Sequence, residues 1–388
     1  RDFCLSRGLG DVYKRQAKNY IDLGKDCSTA EVNPLFSDSV YIDRLSRIPA
    51  VMEMPYNDIV RKFIDMYAGR LRNQVSFMLS ACNFYMPIFE EALDAYGLPL
   101  ELKYLPIIES ALNPSAVSRA GASGLWQFMI GTGKIYGLES NSLIDERRDP
   151  IKATWAAARY LKEMYDIYGD WNLVIAAYNC GPGTINKAIR RAGGETDYWK
   201  IYNLLPKETR GYVPAFIAAN YVMTYYCDHN ICPMETNIPA STDTVQVTKN
   251  LHFEQIAELC NVPLEEVKSL NPQYKKQVIP GTTKPCTLRL PQGAISTFID
   301  KQDTIYAHRA DELFRNRKTV AVKEVTPTTR RQTSAVAGKG KLTYYKIKSG
   351  DTLSSIAEKL GVRVKDIQQW NGMSNTRIAA GKQLKIYK

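Results

Sequence analysis

With 388 residues, 45% of them hydrophobic, the chain is too long for one ordinary domain and apolar enough to bury at least one sizeable core. A formal net charge of +11 would suit nucleic acid, anionic lipid or an acidic polymer. The lysines and arginines are scattered, however, and no zinc finger, RNA-recognition motif or basic helix accompanies them, so nucleic acid is not expected as a partner. Three widely separated histidines (His229, His252 and His308) and eight cysteines without a C-x-x-C pair show no metal-ligand spacing, and neither a metal nor a cofactor is expected.

In chain order, SRGLGDVYKRQ (6–16) can be read codon for codon as a transposon adapter of shotgun libraries, so residues 1–16 are set aside as non-native. Removing their four positive and two negative charges lowers the net charge from +11 to +9, and the chain stays basic. Residues 17–90 read as an N-terminal helical region, and from Tyr56 to Tyr96 the residues Ile59, Phe63, Met66, Val75, Met78 and Leu79 recur at helical spacing, which predicts long amphipathic helices. Gly97-Leu98-Pro99 breaks that pattern, and a new helix is expected from about Pro99 to Glu101. The block 91–236 is rich in Ala, Leu, Ile and Tyr and reads as one all-α domain, with WAAARYLKEMYDIY (155–168) and PAFIAANYVMTYY (214–226) as helices. Its longest apolar run, 213–226, falls short of the roughly 20 residues that span a bilayer.

After Pro233 an internal repeat appears. VQVTKNLHFEQIAELCNVPLEEVKSLNP (245–272) aligns without gaps onto YKIKSGDTLSSIAEKLGVRVKDIQQWNG (345–372). Both copies close on a strand-like segment, CTLRLP (286–291) and KQLKIYK (382–388), so each reads as β-α-α-β. The copies are bounded as 241–306 and 342–388, with a linker over 307–341. The part of it from 324 to 341 is rich in Thr, Ala, Gly and Lys and reads as a flexible tether. Cys227 with Cys232, and Cys260 with Cys286, could form bridges or stay as small buried thiols.

Four segments of the helical block carry candidate chemistry. In LKYLPIIESALNPSAVSRAGASGLWQF (102–128), Glu109 follows an apolar run. Desolvation there would raise its pKa toward the range of a general acid, although a solvent-exposed glutamate at a helix end fits the same spacing. In GASGLWQF (121–128), glycines permit close backbone approach and Gln127 offers both donor and acceptor, or the segment is a turn around a packed Trp126. In AAYNCGPG (176–183), Tyr178 and Asn179 precede a turn, as cleft residues or as an ordinary helix end. In LPKETRGYVPAF (205–216), Tyr212 offers a face to a sugar ring or packs at a helix entry.

Taken in this order and spacing, the four segments resemble the lytic transglycosylase family over about residues 90–230, and the repeats resemble LysM modules, which bind N-acetylglucosamine-containing glycans. The resemblance implies a mainly α protein. Its parts would be a lysozyme-like helical catalytic domain with long N-terminal helices, and two small βααβ LysM-type modules. It puts the catalytic acid/base on Glu109, followed by Ser110. Ser118 and Gln127 fall on positions lining the sugar subsites, Tyr178 and Asn179 on the third motif and Tyr212 on the fourth. Trp126 stands where most relatives have Met, which is expected to reshape one subsite. In the second repeat the glycan-binding positions are Gly350, Asp351, Thr352 and Asn371. The first repeat has Asn250-Leu251-His252 in place of Gly350-Asp351-Thr352, so it is expected to be a degenerate module that serves as a spacer.

The implied partner is the peptidoglycan glycan strand, and the implied reaction is non-hydrolytic cleavage between N-acetylmuramic acid and N-acetylglucosamine with a single glutamate. The implied location is the periplasm of a Gram-negative envelope, with any lipid-bearing cysteine of an outer-membrane tether upstream of the first residue. A lysozyme-type hydrolase would need a second carboxylate, for which Asp145, Glu146 and Asp149 are nearest in sequence. A non-catalytic peptidoglycan-binding protein is disfavoured by the intact Glu109, Gln127 and Tyr178-Asn179.

Overall fold

The structure, a computed structural model, describes residues 21, 32–236, 238–239, 241–314, 342–348, 351–373 and 378–387. The adapter-like segment 6–16, the stretch 315–341 and Gly350 lie outside the described residues. The chain divides into two compact units, Arg1–Val325 and Thr326–Lys388.

The helical body of the first unit opens with α1 (Asp38–Ser46), α2 (Asp58–Ala68) and α3 (Arg72–Ala95). Asn57 caps α2 by accepting from the amides of Ile59 and Val60. The predicted helical run 56–96 thus splits at Gly69 into α2 and α3. A 3-10 turn (Leu100–Tyr104) leads into the short α4 (Leu105–Ser110), followed by α5 (Ile130–Ile135) and α6 (Pro150–Tyr168). Asp149 caps α6 and Pro150 stands at its first position, where a missing N–H costs nothing; Gly169, at φ 63°, ends it in the left-handed conformation. The helices α7 (Trp171–Cys180), α8 (Pro182–Arg191), α9 (Tyr198–Ile201) and α10 (Lys207–Thr224) complete the body. α10 packs against α2 and α7. Gly211 allows this approach, because a Cβ there would lie 3.1 Å from the Phe63 ring.

The first repeat is richer than β-α-α-β. β1 (Thr242–Val247) pairs antiparallel with β4 (Cys286–Pro291), and a second short ladder joins β2 (Asn250–His252) to β3 (Val278–Pro280). Between them lie α11 (Phe253–Cys260) and α12 (Leu264–Leu270), and after β4 come α13 (Gln292–Asp300), α14 (Gln302–Ala307) and α15 (Ala310–Leu313). The segment expected to be linker from residue 307 is therefore ordered through Phe314. Gln255 donates to the carbonyls of Tyr306 (3.2 Å) and His308 (2.7 Å), and Arg309 pairs with Glu254 and Glu258.

The second repeat follows the predicted order: β5 (Leu342–Lys346), α16 (Leu353–Leu360), α17 (Val364–Trp370) and β6 (Gln383–Tyr387), with β5 antiparallel to β6. Its core is small, built around Ile347, Leu353, Ile356, Ile367, Leu384 and Ile386.

Of the alternatives open for the two cysteine pairs, neither bridge is present. Cys232 is disulfide-bonded, but Cys227 is exposed and not in a disulfide. The Cys232 carbonyl is held on α3 by the Ser76 hydroxyl. Cys260 and Cys286 are buried thiols in the first module's core. The Cys286 thiol donates to the Lys284 carbonyl at 3.4 Å.

Candidate active site

Glu109 sits in the last turn of α4, a helix started by Pro106 and stopped at Ala111 and Leu112, which both take left-handed backbone angles (φ 53° and 59°). Two successive non-glycine residues in that region are strained, and such strain persists only where surrounding contacts over-determine it. Leu112 is fully buried. Ser110 supplies a further anchor, its hydroxyl lying 3.0 Å from the Pro106 carbonyl and 2.9 Å from the Leu125 carbonyl. The strained end of α4 is thereby pinned to the loop that faces it.

That loop, residues 116–128, folds on itself through Ser118 N to Ala122 O (2.9 Å) and Ser123 N to Phe128 O (3.1 Å). The Ser118 hydroxyl accepts from Ala122 N at 3.0 Å. Gln127, at φ 49°, donates its amide to the carbonyls of Ala116 (3.2 Å) and Gly124 (2.9 Å). Gly124 has no room for a side chain, since a Cβ would lie 1.7 Å from the Arg147 carbonyl.

A cleft of about 600 Å³ opens between α2, α4, α10 and this loop, with Glu109, Ser110, Ser118, Gln127 and Tyr212 all on its walls. Burial pushes the Glu109 carboxyl up to about 7, against the opposing pull of a hydrogen bond from the Tyr212 hydroxyl. Tyr212 itself is held well above its usual value, by burial first and then by the neighbouring Glu109 charge, so it stays a neutral donor. Glu109 is therefore no exposed helix-end glutamate, but a carboxyl able to hold a proton near neutral pH.

Tyr178 lies near the carboxyl: burial first, and then the neighbouring Glu109 charge, hold its hydroxyl well above the usual value, so it too stays neutral. The Tyr178 hydroxyl donates to the Trp126 carbonyl at 2.7 Å, and the Asn179 side-chain oxygen accepts from the Thr209 hydroxyl at 3.0 Å. They fasten the facing loop and the start of α10. The Trp126 side chain does not line the cleft: it is fully buried, donates its indole N–H to Thr154 (2.9 Å) and meets Phe89 edge to face. Glu208 is a cleft residue that the motif reading passed over. It precedes Tyr212 by four positions in α10, a spacing that puts both on one helix face. Asp145, Glu146 and Asp149 lie away from the cleft walls. Asp145 pairs with Arg147, Glu146 with Lys152 and Lys284, and Asp149 caps α6.

Residues 86–201 match the Transglycosylase SLT domain, residues 241–307 the LysM-like domain of lytic transglycosylase MltD, and residues 345–386 the LysM domain. The membrane-bound lytic murein transglycosylase D of Escherichia coli K12 is 30% identical over 341 residues, covering 86% of this chain and 70% of that protein. The chain belongs to the lytic transglycosylase family. The soluble lytic murein transglycosylase of the same strain is 33% identical to this transglycosylase over 124 residues, 30% of this chain and 19% of that protein. The crystal structure of the 70 kDa soluble lytic transglycosylase of E. coli covers 47% of this chain and 33% of its own at 24% identity, with a TM-score of 0.34.

In the transglycosylase's second module, Thr352 caps α16 in a reciprocal pair with Ser355, and Asp351 accepts from Lys348 N (2.8 Å) and the Tyr345 hydroxyl (2.9 Å). Asn371 spends its amide inside the fold, accepting from Lys385 N (2.7 Å) and donating to the carbonyls of Ile367 and Lys385 (both 2.8 Å). Asn271 repeats these bonds in the first module toward Val267 and Arg289. His252 with Gln255 there forms the same kind of helix cap as Thr352 with Ser355, despite the change of sequence.

Proposed function

We propose that this lytic transglycosylase cuts the glycan between N-acetylmuramic acid and N-acetylglucosamine with Glu109 as its single acid/base, leaving a 1,6-anhydro-muramic end. The observation that carries the reading is the Glu109 carboxyl, held at about 7 beside a neutral Tyr212 donor inside the cleft. Protonated Glu109 gives its proton to the glycosidic oxygen as the C1–O bond breaks, and the muramic N-acetyl group supports the developing charge at C1. Glu109, now a carboxylate, takes the proton of the same sugar's C6 hydroxyl, whose oxygen bonds to C1. One bond breaks, one forms, the carboxyl ends protonated, and no water is consumed. Positioned proton transfer contributes about 10²–10⁴-fold, and intramolecular attack adds the advantage of proximity. Ser118, Gln127, Tyr178, Asn179 and Tyr212 would hold the sugars, with Glu208 as a further group on the cleft wall.

Glycan binding at the second module is part of this reading. A groove of about 460 Å³ there is lined by Ile347, Asn371, Met373, Ile378, Lys382 and Leu384. The proposed location is the periplasm, with an outer-membrane tether, since peptidoglycan lies there and the 30% identical relative is described as membrane-bound. Among the described residues no helix is long and apolar enough to cross a membrane.

The test is a mass spectrum of muropeptides released from purified sacculi. Products lighter by one water, with anhydro ends, are expected. Glu109→Gln should abolish release while the protein still sediments with sacculi. Release by that variant would refute the assignment, and hydrated reducing ends would turn attention to Glu208 as a second carboxylate.

A further inference from the structure

The first module is built into the helical body. Leu143 and Ile144, from the loop before α6, lie in the module's own core beside Tyr274. Backbone pairing crosses the seam: Asp145 N donates to Gln273 O and Lys275 N to Leu143 O, both at 2.8 Å. Two module lysines reach across as well. Lys275 donates to the Asn141 carbonyl at 2.8 Å and lies 3.8 Å from the Asp145 carboxylate. Lys284 pairs with Glu139 and Glu146.

The body side of this seam leads to the cleft. Asp145 takes two bonds of 2.8 Å from Arg147, with both residues buried at 1% and 5% exposure. The remaining arm of Arg147 donates to the carbonyls of Gly121 (2.8 Å) and Phe128 (2.9 Å), both in the loop that carries Ser118 and Gln127. The Arg147 carbonyl abuts Gly124 of that loop. An arginine fork is rigid and always charged, so whatever fixes its carboxylate partner also fixes the carbonyls it holds.

We propose that the 241–307 module is a positioning element of the catalytic cleft, and that Arg147 is the positioning residue through which it acts. Lys275 and Lys284 hold the 139–146 segment, Asp145 aims Arg147, and Arg147 sets the loop carrying Ser118 and Gln127. This rests on the cleft reading above and gives the first repeat a role other than glycan capture.

The experiment uses the full chain with Lys275→Met and Lys284→Met together, and Arg147→Lys separately. Lysine keeps the charge of Arg147 but cannot bond Asp145 and both carbonyls at once. The expected result on soluble glycan fragments is a fall in kcat of about tenfold to a hundredfold, the scale of a displacement of about 1 Å in a cleft wall. The pH midpoint should not move, because Glu109 and Tyr212 lie on other elements, and Lys284→Arg should retain activity. Amide exchange at Ser123 and Gln127 should accelerate while Leu173–Ala177 of α7 stays protected. If the double variant does not fold, Lys284→Ala, which removes a half-exposed partner, is read by the same exchange. Unchanged turnover with unchanged loop exchange, or equal acceleration throughout the body, would overturn the proposal. Exchange is measured without substrate, so a loosened loop in a protein whose wild type releases nothing would sink only the functional reading.

Discussion

At the scale of single residues, function turns on one proton. Burial disfavours the charged form of Glu109 more strongly than the Tyr212 hydrogen bond favours it, so the carboxyl keeps its proton up to about pH 7. Cleavage begins from the protonated form, so kcat should be level below that point and fall as pH rises through about 7. Tyr212→Phe removes the bond that stabilises the carboxylate, so the midpoint should move to higher pH. The rate at the plateau should drop at least about tenfold, equivalent to about 1.4 kcal/mol, because the carboxyl loses its fixed orientation. A pH–rate profile with soluble glycan fragments checks both; a midpoint moving downward would contradict the sign. The apolar run before Glu109 made desolvation legible in the sequence, whereas Tyr212 stands 103 positions away and no local pattern announces the pair.

At the scale of elements, glycine decides where the cleft loop can lie. Gly124 combines φ +86° with a backbone oxygen 1.7 Å from any added Cβ, so Gly124→Ala adds a clash to conformational strain. Gly121 has a similar angle, φ +88°, but nothing within 4 Å, so alanine there meets strain alone. Urea unfolding should show a loss of about 1 kcal/mol for Gly121→Ala and a clearly larger one, above about 2 kcal/mol, for Gly124→Ala. Equal losses would mean that the Arg147 contact does not constrain the loop. The glycines of GASGLWQF suggested close backbone approach, but not what is approached. Periodicity located α2, α3, α6 and α10 because one buried face repeats every turn. It missed β2 and β3, which are too short to establish a period, and the helices after β4, which lie beyond the aligned part of the repeat.

For the whole molecule, the two repeats have parted ways. The first takes Leu143 and Ile144 of the helical body into its core, whereas the core of the second is built from its own residues. Ending the chain after Val325 should leave cleavage of short soluble glycans within about twofold. It should slow release from intact sacculi about tenfold or more, because a linked binding module raises effective substrate concentration. Comparing the two substrates checks this, and equal rates on sacculi would remove the second module from glycan capture.

Composition, periodicity and the alignment of the repeats determined the helical body, the small modules and the motif set, because each is a property of neighbouring residues. Tertiary structure alone decided the proton on Glu109, the burial of Trp126, the cleft position of Glu208 and the state of each described cysteine. It also turned Asp145 and Glu146 from candidate catalysts into partners of Arg147, Lys152 and Lys284. These outcomes depend on groups far apart in the chain: Lys284 and Glu139 are separated by 145 positions. Burial and charge pairing between such groups exist only once the chain has folded, since it is packing that removes water from between them.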